Sequence, residues 1–202
     1  MFWENLHRLD QEITLFINSL HSAPSDIIMQ MFSHVKLWFP MYLIIAILLF
    51  WRLGWKKGGI AFLALLLMVV CCDQFSNVIK DAVERLRPLK DSFMTKHGLH
   101  ILEHGGGLYG FFSAHAANSF GLAVCSYLLL RQDKSLKWRG YAAWIFIWAI
   151  MVSLSRIFVG KHYLGDVLVG ALIGALTGWI LAKIAIMIMG RIAERKSRQE
   201  TV

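Results

Sequence analysis

The sequence predicts an all-α fold: a polytopic membrane helix bundle of about five transmembrane helices, with an N-terminal helix lying in the interface. Three observations predict it. Apolar residues make up 57% of the 202 residues, charged residues only 17%, and mean hydropathy is +0.54. The apolar residues fall into five runs, each near or slightly below the ~20 residues that a spanning helix needs. The basic residues concentrate in the loops on one side of those runs. A soluble domain of this length carries more polar surface, and a disordered or coiled-coil chain carries fewer apolar residues. The net charge of +8 is what membrane orientation requires, and nucleic acid is not an expected partner. Cys71, Cys72 and Cys125 are odd in number and form no Cys/His framework, which argues against disulfides and structural zinc.

The elements follow in order. Residues 1–12 carry acids and no apolar core, so the first true span is expected to serve as the targeting signal. Leu6, Leu9, Ile13, Phe16, Ile17 and Leu20 recur at helical spacing with charges between them, which suits an interfacial helix over residues 1–24. A sixth span is the alternative for this segment. The five runs are Ile27–Trp51, Gly58–Val78, Ala114–Leu130, Gly140–Leu154 and Val167–Met189. Only helices cross lipid in such runs, because the backbone must pair internally. One set of loops, with the basic tail at 191–202 and Lys183 near the end of the last span, carries 12 basic and 3 acidic residues. The other side carries 9 of each, so the first side is expected to be cytoplasmic. Trp51, Trp55 and Trp138 fall at that inner boundary. No repeat is evident, and residues 1–202 read as one domain.

The outer side collects three polar clusters. Lys80 and Arg87 are seven residues apart and would share a helix face, with Pro88 ending or bending that helix. Two cations on one face suit a phosphate. Taken alone, a solvated basic end binding anionic headgroups explains them equally well. Ser113 is a natural N-cap for the third span, and His115 sits in its first turn, where free N–H groups favour an anion. Plain capping beside an interfacial histidine is the simpler account of that pair by itself. Ser155, Arg156, His162 and Asp166 join the last two spans. If the His162 segment is helical, His162 and Asp166 lie one turn apart, and the carboxylate would fix the imidazole tautomer. Together the clusters offer three cations, two histidines, a carboxylate and a capped helix start. That combination suits phosphoryl transfer without a metal.

At these residues the sequence resembles the type 2 phosphatidic acid phosphatase family of membrane lipid phosphatases. Lys80-x6-Arg87-Pro88 and Ser155-Arg156-x5-His162-x3-Asp166 match two of its signatures fully. The third, Pro-Ser-Gly-His, is altered: Phe112 and Ala114 stand where Pro and Gly are usual, while Ser113 and His115 are kept. The resemblance implies that His162 attacks phosphorus to form a phosphohistidine and that Asp166 orients it. It implies that His115 protonates the leaving oxygen and then activates water. Lys80, Arg87, Ser113 and Arg156 would hold the phosphate oxygens, with no metal and no cofactor. The implied substrate is a lipid phosphate or diphosphate met at the extracytoplasmic face of the cell (inner) membrane. An isoprenoid-carrier diphosphate ranks first, lipid A or another glycolipid next, then phospholipid types. A phosphotransferase with the same site, or a headgroup-binding or transport protein without chemistry, are the competing readings.

Other features are left open. Residues 79–113 read as an extracytoplasmic active-site loop, in which Gly105–Gly107 suggest a lid. His97, His100 and His104 at spacings of three and four suggest a metal site more weakly. Asp73 inside the second apolar run points toward the protein interior or marks the membrane boundary. Gly170, Gly174 and Gly178 invite close packing of the last span against a helix of this chain or of a second copy.

Overall fold

A computed structural model describes residues 2–200, with the backbone alone at Phe2, Ala193 and 195–200. Most of the basic tail expected at 191–202 therefore lies outside the described side chains. The elements are α1 (Phe2–Ser19), α2 (Ala23–Ser33), α3 (Phe39–Val83), α4 (Ser92–Lys96), α5 (Ala114–Leu130), α6 (Arg139–Phe158) and α7 (Leu164–Glu200). Single turns of tighter helix cover Val35–Trp38 and Pro88–Lys90. Among the described residues there is no strand, only an isolated bridge between Leu86 and Tyr109.

The N-terminal segment is amphipathic, as expected, but it is two helices. α1 turns Leu6, Leu9 and Phe16 outward and buries Gln11, Thr14 and Asn18. Its apolar side therefore faces the surroundings, and its polar stripe faces the protein. Ser22 and Ser25 form a reciprocal cap, with Pro24 in the first turn, and together they restart the chain as α2. The first apolar stretch long enough to span thus begins at Val35 and not at Ile27.

The stretch Val35–Val83 is 49 residues long and apolar enough to cross a bilayer twice. It folds back at Gly54, whose φ of 75° is left-handed and is easily adopted only without a side chain. The Phe50 and Phe62 rings lie 6.0 Å apart, whereas twelve residues of straight helix span about 18 Å. Limbs 39–53 and 55–83, with α5, α6 and α7, give five apolar helical segments; three helices are long and apolar enough to cross a membrane and α5 is a shorter apolar one, and this is an integral membrane protein.

α5 is the central helix and packs most extensively on α7. The glycine stripe of α7 explains the closeness. A methyl group added at Gly170, Gly174 or Gly178 would run into the carbonyls of Ser113, Ala117 and Gly121 respectively. The partner of that stripe is therefore inside the chain. At one end of the bundle, Arg52 pairs with Asp133 at 2.6 Å and ties the Gly54 turn to the loop after α5. At the other end, α1, α2, the 84–113 segment and the α6–α7 connection converge.

Candidate active site

The α6–α7 connection supplies the centre of the site. Gly160 adopts a φ of 78°, which ends α6 and turns Lys161, His162 and Tyr163 across the bundle. Asp166 stands in the first turn of α7 and is fully buried, and His162 is 2% exposed. Asp166 Oδ2 lies 3.4 Å from His162 Nδ1 and accepts the Tyr163 N–H at 3.1 Å. The backbone bond caps the helix and fixes the carboxylate. With Nδ1 turned to Asp166, Nε2 is the nitrogen left for chemistry. His162 precedes the helix, so the pairing comes from a capping turn rather than from two positions on one helical turn.

Burial, opposed only in part by Asp166, lowers the His162 pKa to about 4. The imidazole is therefore held in its neutral form at ordinary pH.

Lys80 and Arg87 do not share a helix face. α3 stops at Val83, and Glu84 takes a left-handed φ of 53°, three residues before Arg87. The reason is pairing across the site. The Arg87 N–H bonds Leu108 O at 3.1 Å, and the Gly110 N–H bonds Arg85 O at 2.8 Å. Arg87 Nε then donates to Tyr109 O at 3.1 Å. Gly110 lets the two chain segments approach closely here, since a Cβ would sit 3.1 Å from Arg87 Cγ and 3.4 Å from Asp166 Oδ2.

Ser113 is buried and caps α5 through the Ala116 N–H at 3.4 Å. Its own N–H donates to Asp166 O at 3.0 Å. This bond sets the start of α5 against the start of α7. His115, in the first turn of α5, lies within electrostatic range of Arg156, His162, Lys80 and Arg87. Arg156 is buried at the end of α6 and pairs with Glu103 at 3.6 Å. Ser33 of α2 bonds both of them. Arg156 Nε is buried without a hydrogen-bond partner, a donor still open to an anion. The seven expected residues therefore gather at one end of the bundle.

Several residues around them were not expected. Arg85 reaches Asp166 Oδ1 and Asp10 Oδ2, both at 2.7 Å, and lies 3.9 Å over the Tyr163 ring. Asp10 Oδ1 also accepts the Gly165 N–H at 2.9 Å, and Thr14 accepts the Leu164 N–H at 2.9 Å. The polar stripe of α1 thus occupies the free N–H groups that open α7. Lys161, 6% exposed, donates to Gly105 O at 2.7 Å. Burial lowers its pKa, against the pull of Glu103. The polar positions of α1 at helical spacing, and the basic residues inside the two signatures, were the available signals. The glycine loop is pinned at Glu103, Gly105, Leu108 and Tyr109 by these bonds.

Behind His115 an apolar cavity of about 480 Å³ opens between the limbs of α3, α5 and α6. Tyr42, Phe62, Leu66, Leu122 and Trp148 line it, and Asp73 and Asn118 stand with His115 at its polar part. Asp73 accepts the Asn118 amide at 2.7 Å, so it faces the interior.

The model of the PAP2 superfamily matches residues 58–189. A lipid A 4'-phosphatase of Bacteroides thetaiotaomicron is 35% identical over 191 residues, covering 94% of this chain and 82% of that one. A lipid A 4'-phosphatase of Porphyromonas gingivalis is 26% identical, covering 90% and 75%. Among solved structures, the PAP2-type phosphatidylglycerolphosphate phosphatase of Bacillus subtilis superposes with a TM-score of 0.71 at 20% identity, over 91% of this chain and 88% of that one. Aquifex aeolicus LpxE gives 0.62 at 24% identity, over 85% and 93%. These two share the fold. The match over most of the chain, on the segment that carries the gathered histidines and cations, shows that this protein belongs to the PAP2 superfamily.

Proposed function

We propose that the protein is a membrane phosphatase that removes phosphate from lipid A or a closely related lipid phosphate, through a phosphohistidine on His162. The observation that carries this reading is the buried His162–Asp166 pair facing open cationic donors. The relatives move lipid A ahead of the isoprenoid-carrier diphosphate that residues alone favour. His162 Nε2 attacks phosphorus, and the bond to the lipid oxygen breaks as His115 donates its proton to that oxygen. Lys80, Arg87, Arg156 and Ser113 hold the phosphate oxygens as charge shifts onto them. His115, now neutral, takes a proton from water. The resulting hydroxide displaces His162 and releases inorganic phosphate. The basic loops around Gly54 and Asp133 favour the cytoplasm, which supports a site facing the extracytoplasmic side of the inner membrane.

Phosphate release by detergent-purified protein tests the reading, on a panel of lipid A, isoprenoid diphosphate and phospholipid phosphates. Release is expected on lipid A, to persist in chelator, and to vanish in His162→Ala. Wild-type turnover in that variant would sink the phosphohistidine. His115→Ala should cost roughly 10²–10⁴ in rate, as loss of a positioned acid does.

A further inference from the structure

We infer that His21, Asp26 and His100 form a cation site for a zinc-class transition metal, separate from the catalytic centre. The two imidazole rings stack with centroids 3.6 Å apart and planes within 6°. Asp26 Oδ2 lies 3.0 Å from His100 Nε2 and 3.9 Å from His21 Nδ1. One ligand atom from each residue falls within 4.8 Å of the other two. Metal–ligand bonds of about 2.0–2.2 Å require the two rings to swing out of their parallel stack, so that both ring planes meet at the ion beside Asp26. Two imidazoles and a carboxylate are the donor set of zinc and its neighbours, not of magnesium or calcium.

Two further observations point to a ligand. Asp26 Oδ1 is buried with no hydrogen-bond partner, although a buried carboxylate oxygen is normally satisfied. Bound metal would occupy it as a second coordinating atom. The ligands are also held in place by the backbone behind them. Asn18 Oδ1 accepts the His100 N–H at 2.8 Å, and Asn18 Nδ2 donates to His100 O at 3.0 Å. The Asp26 N–H bonds Ser22 O at 2.8 Å within the capped start of α2. Such support is what a metal site requires beyond its ligands. His97 and His104 take no part. His97 stacks on Phe93 and bonds its carbonyl, and the His104 carbonyl faces Lys161. The partners of His100 come from the α1–α2 turn, far away in sequence.

The site joins the start of α2 to the strap that carries Glu103, three residues beyond His100. Ser33, at the far end of α2, and Glu103 both bond Arg156. Metal would therefore fasten the two segments that brace that arginine. None of its ligands touches the reacting groups, so the inference stands apart from the proposed reaction.

The test uses full-length protein without an oligohistidine tag, purified in detergent and stripped with chelator. Zn²⁺ is titrated against a chromophoric competitor, and thermal unfolding is followed with and without Zn²⁺. Wild type is expected to bind one equivalent and to gain thermal stability. His100→Ala and Asp26→Asn should lose roughly 10–100-fold in affinity, or more. His21 is exposed, so His21→Ala keeps the fold, retains phosphate release, and should lose both the equivalent and the thermal gain. Absence of stoichiometric binding in wild type overturns the site, leaving a His–Asp hydrogen bond only. Equal binding by wild type and His21→Ala also overturns it, since the metal then sits elsewhere.

Discussion

The Asp166 carboxylate receives two side-chain partners and one backbone N–H, and of the two side chains Arg85 is the one that the signatures do not name. Arg85 forks between Asp166 and Asp10 and is covered by the Tyr163 ring. A bidentate, stacked guanidinium is not replaceable by lysine without loss. Arg85→Ala leaves a fully buried carboxylate short of its cation, which costs about 3–5 kcal/mol where such pairs have been broken. Asp166 would then turn from His162, so kcat should fall at least about tenfold, the scale of losing a ligand-orienting partner. KM should change little, and Arg85→Lys should recover part of kcat. Equal losses in both variants with raised KM would instead make Arg85 a substrate contact. His162 makes a second prediction. Its folded pKa of about 4 lies below the ordinary value near 6.5. The unfolded chain therefore binds the extra proton between those values, and stability falls as pH drops through that window. Thermal unfolding of wild type should fall more steeply from pH 6.5 to 4 than that of His162→Gln. The key residues were legible because their chemistry is local in sequence. Arg85, Asp10 and Glu103 were not, because each acts on a partner more than 50 residues away.

Helix packing here depends on what is missing from α7. Gly174 lies so close to Ala117 that no side chain fits without moving backbone. Gly174→Ala should therefore destabilise by about 1–3 kcal/mol, the usual cost of overpacking. Gly190→Ala meets nothing within 4 Å and should leave thermal unfolding unchanged. Similar losses in both would show that the contact with Ala117 does not decide, since helix propensity favours alanine over glycine at either position. Because the carbonyl of Ser113 touches this stripe, Gly170→Ala should also lower phosphate release. The continuous apolar runs pointed to the spans, and the small-residue spacing pointed to the stripe. That spacing could not show that the stripe meets α5, since any small-residue face would satisfy the pattern. The apolar runs also set the first span too early, because Ile27, Ile28 and Met31 are apolar yet belong to α2. The capping serines at 22 and 25, with Pro24, were the sequence signal for that break.

Across the whole molecule, the gathered histidines and cations sit at one end, and the apolar cavity runs from His115 between the limbs of α3, α5 and α6. A lipid phosphate needs both: cations for its headgroup, and a path for its chains that keeps them out of water. Each buried methylene contributes about 0.8 kcal/mol, so a chain seated beside Tyr42, Ala46 and Leu66 would add strongly to binding. Ala46 lines that cavity and is half-buried. Ala46→Trp should therefore obstruct the path without touching the histidines. Its kcat/KM on a long-chain lipid phosphate should drop about tenfold or more, the equivalent of some two methylenes. Hydrolysis of a short, water-soluble phosphate ester should stay near wild type, because that substrate reaches His162 from the aqueous face. Equal loss on both substrates would mean that the tryptophan distorts α3, and Leu66→Trp on the facing limb would then separate the cases. No loss on either would place the chains along the outer surface of the bundle, where α1 and α2 present their apolar sides to the membrane.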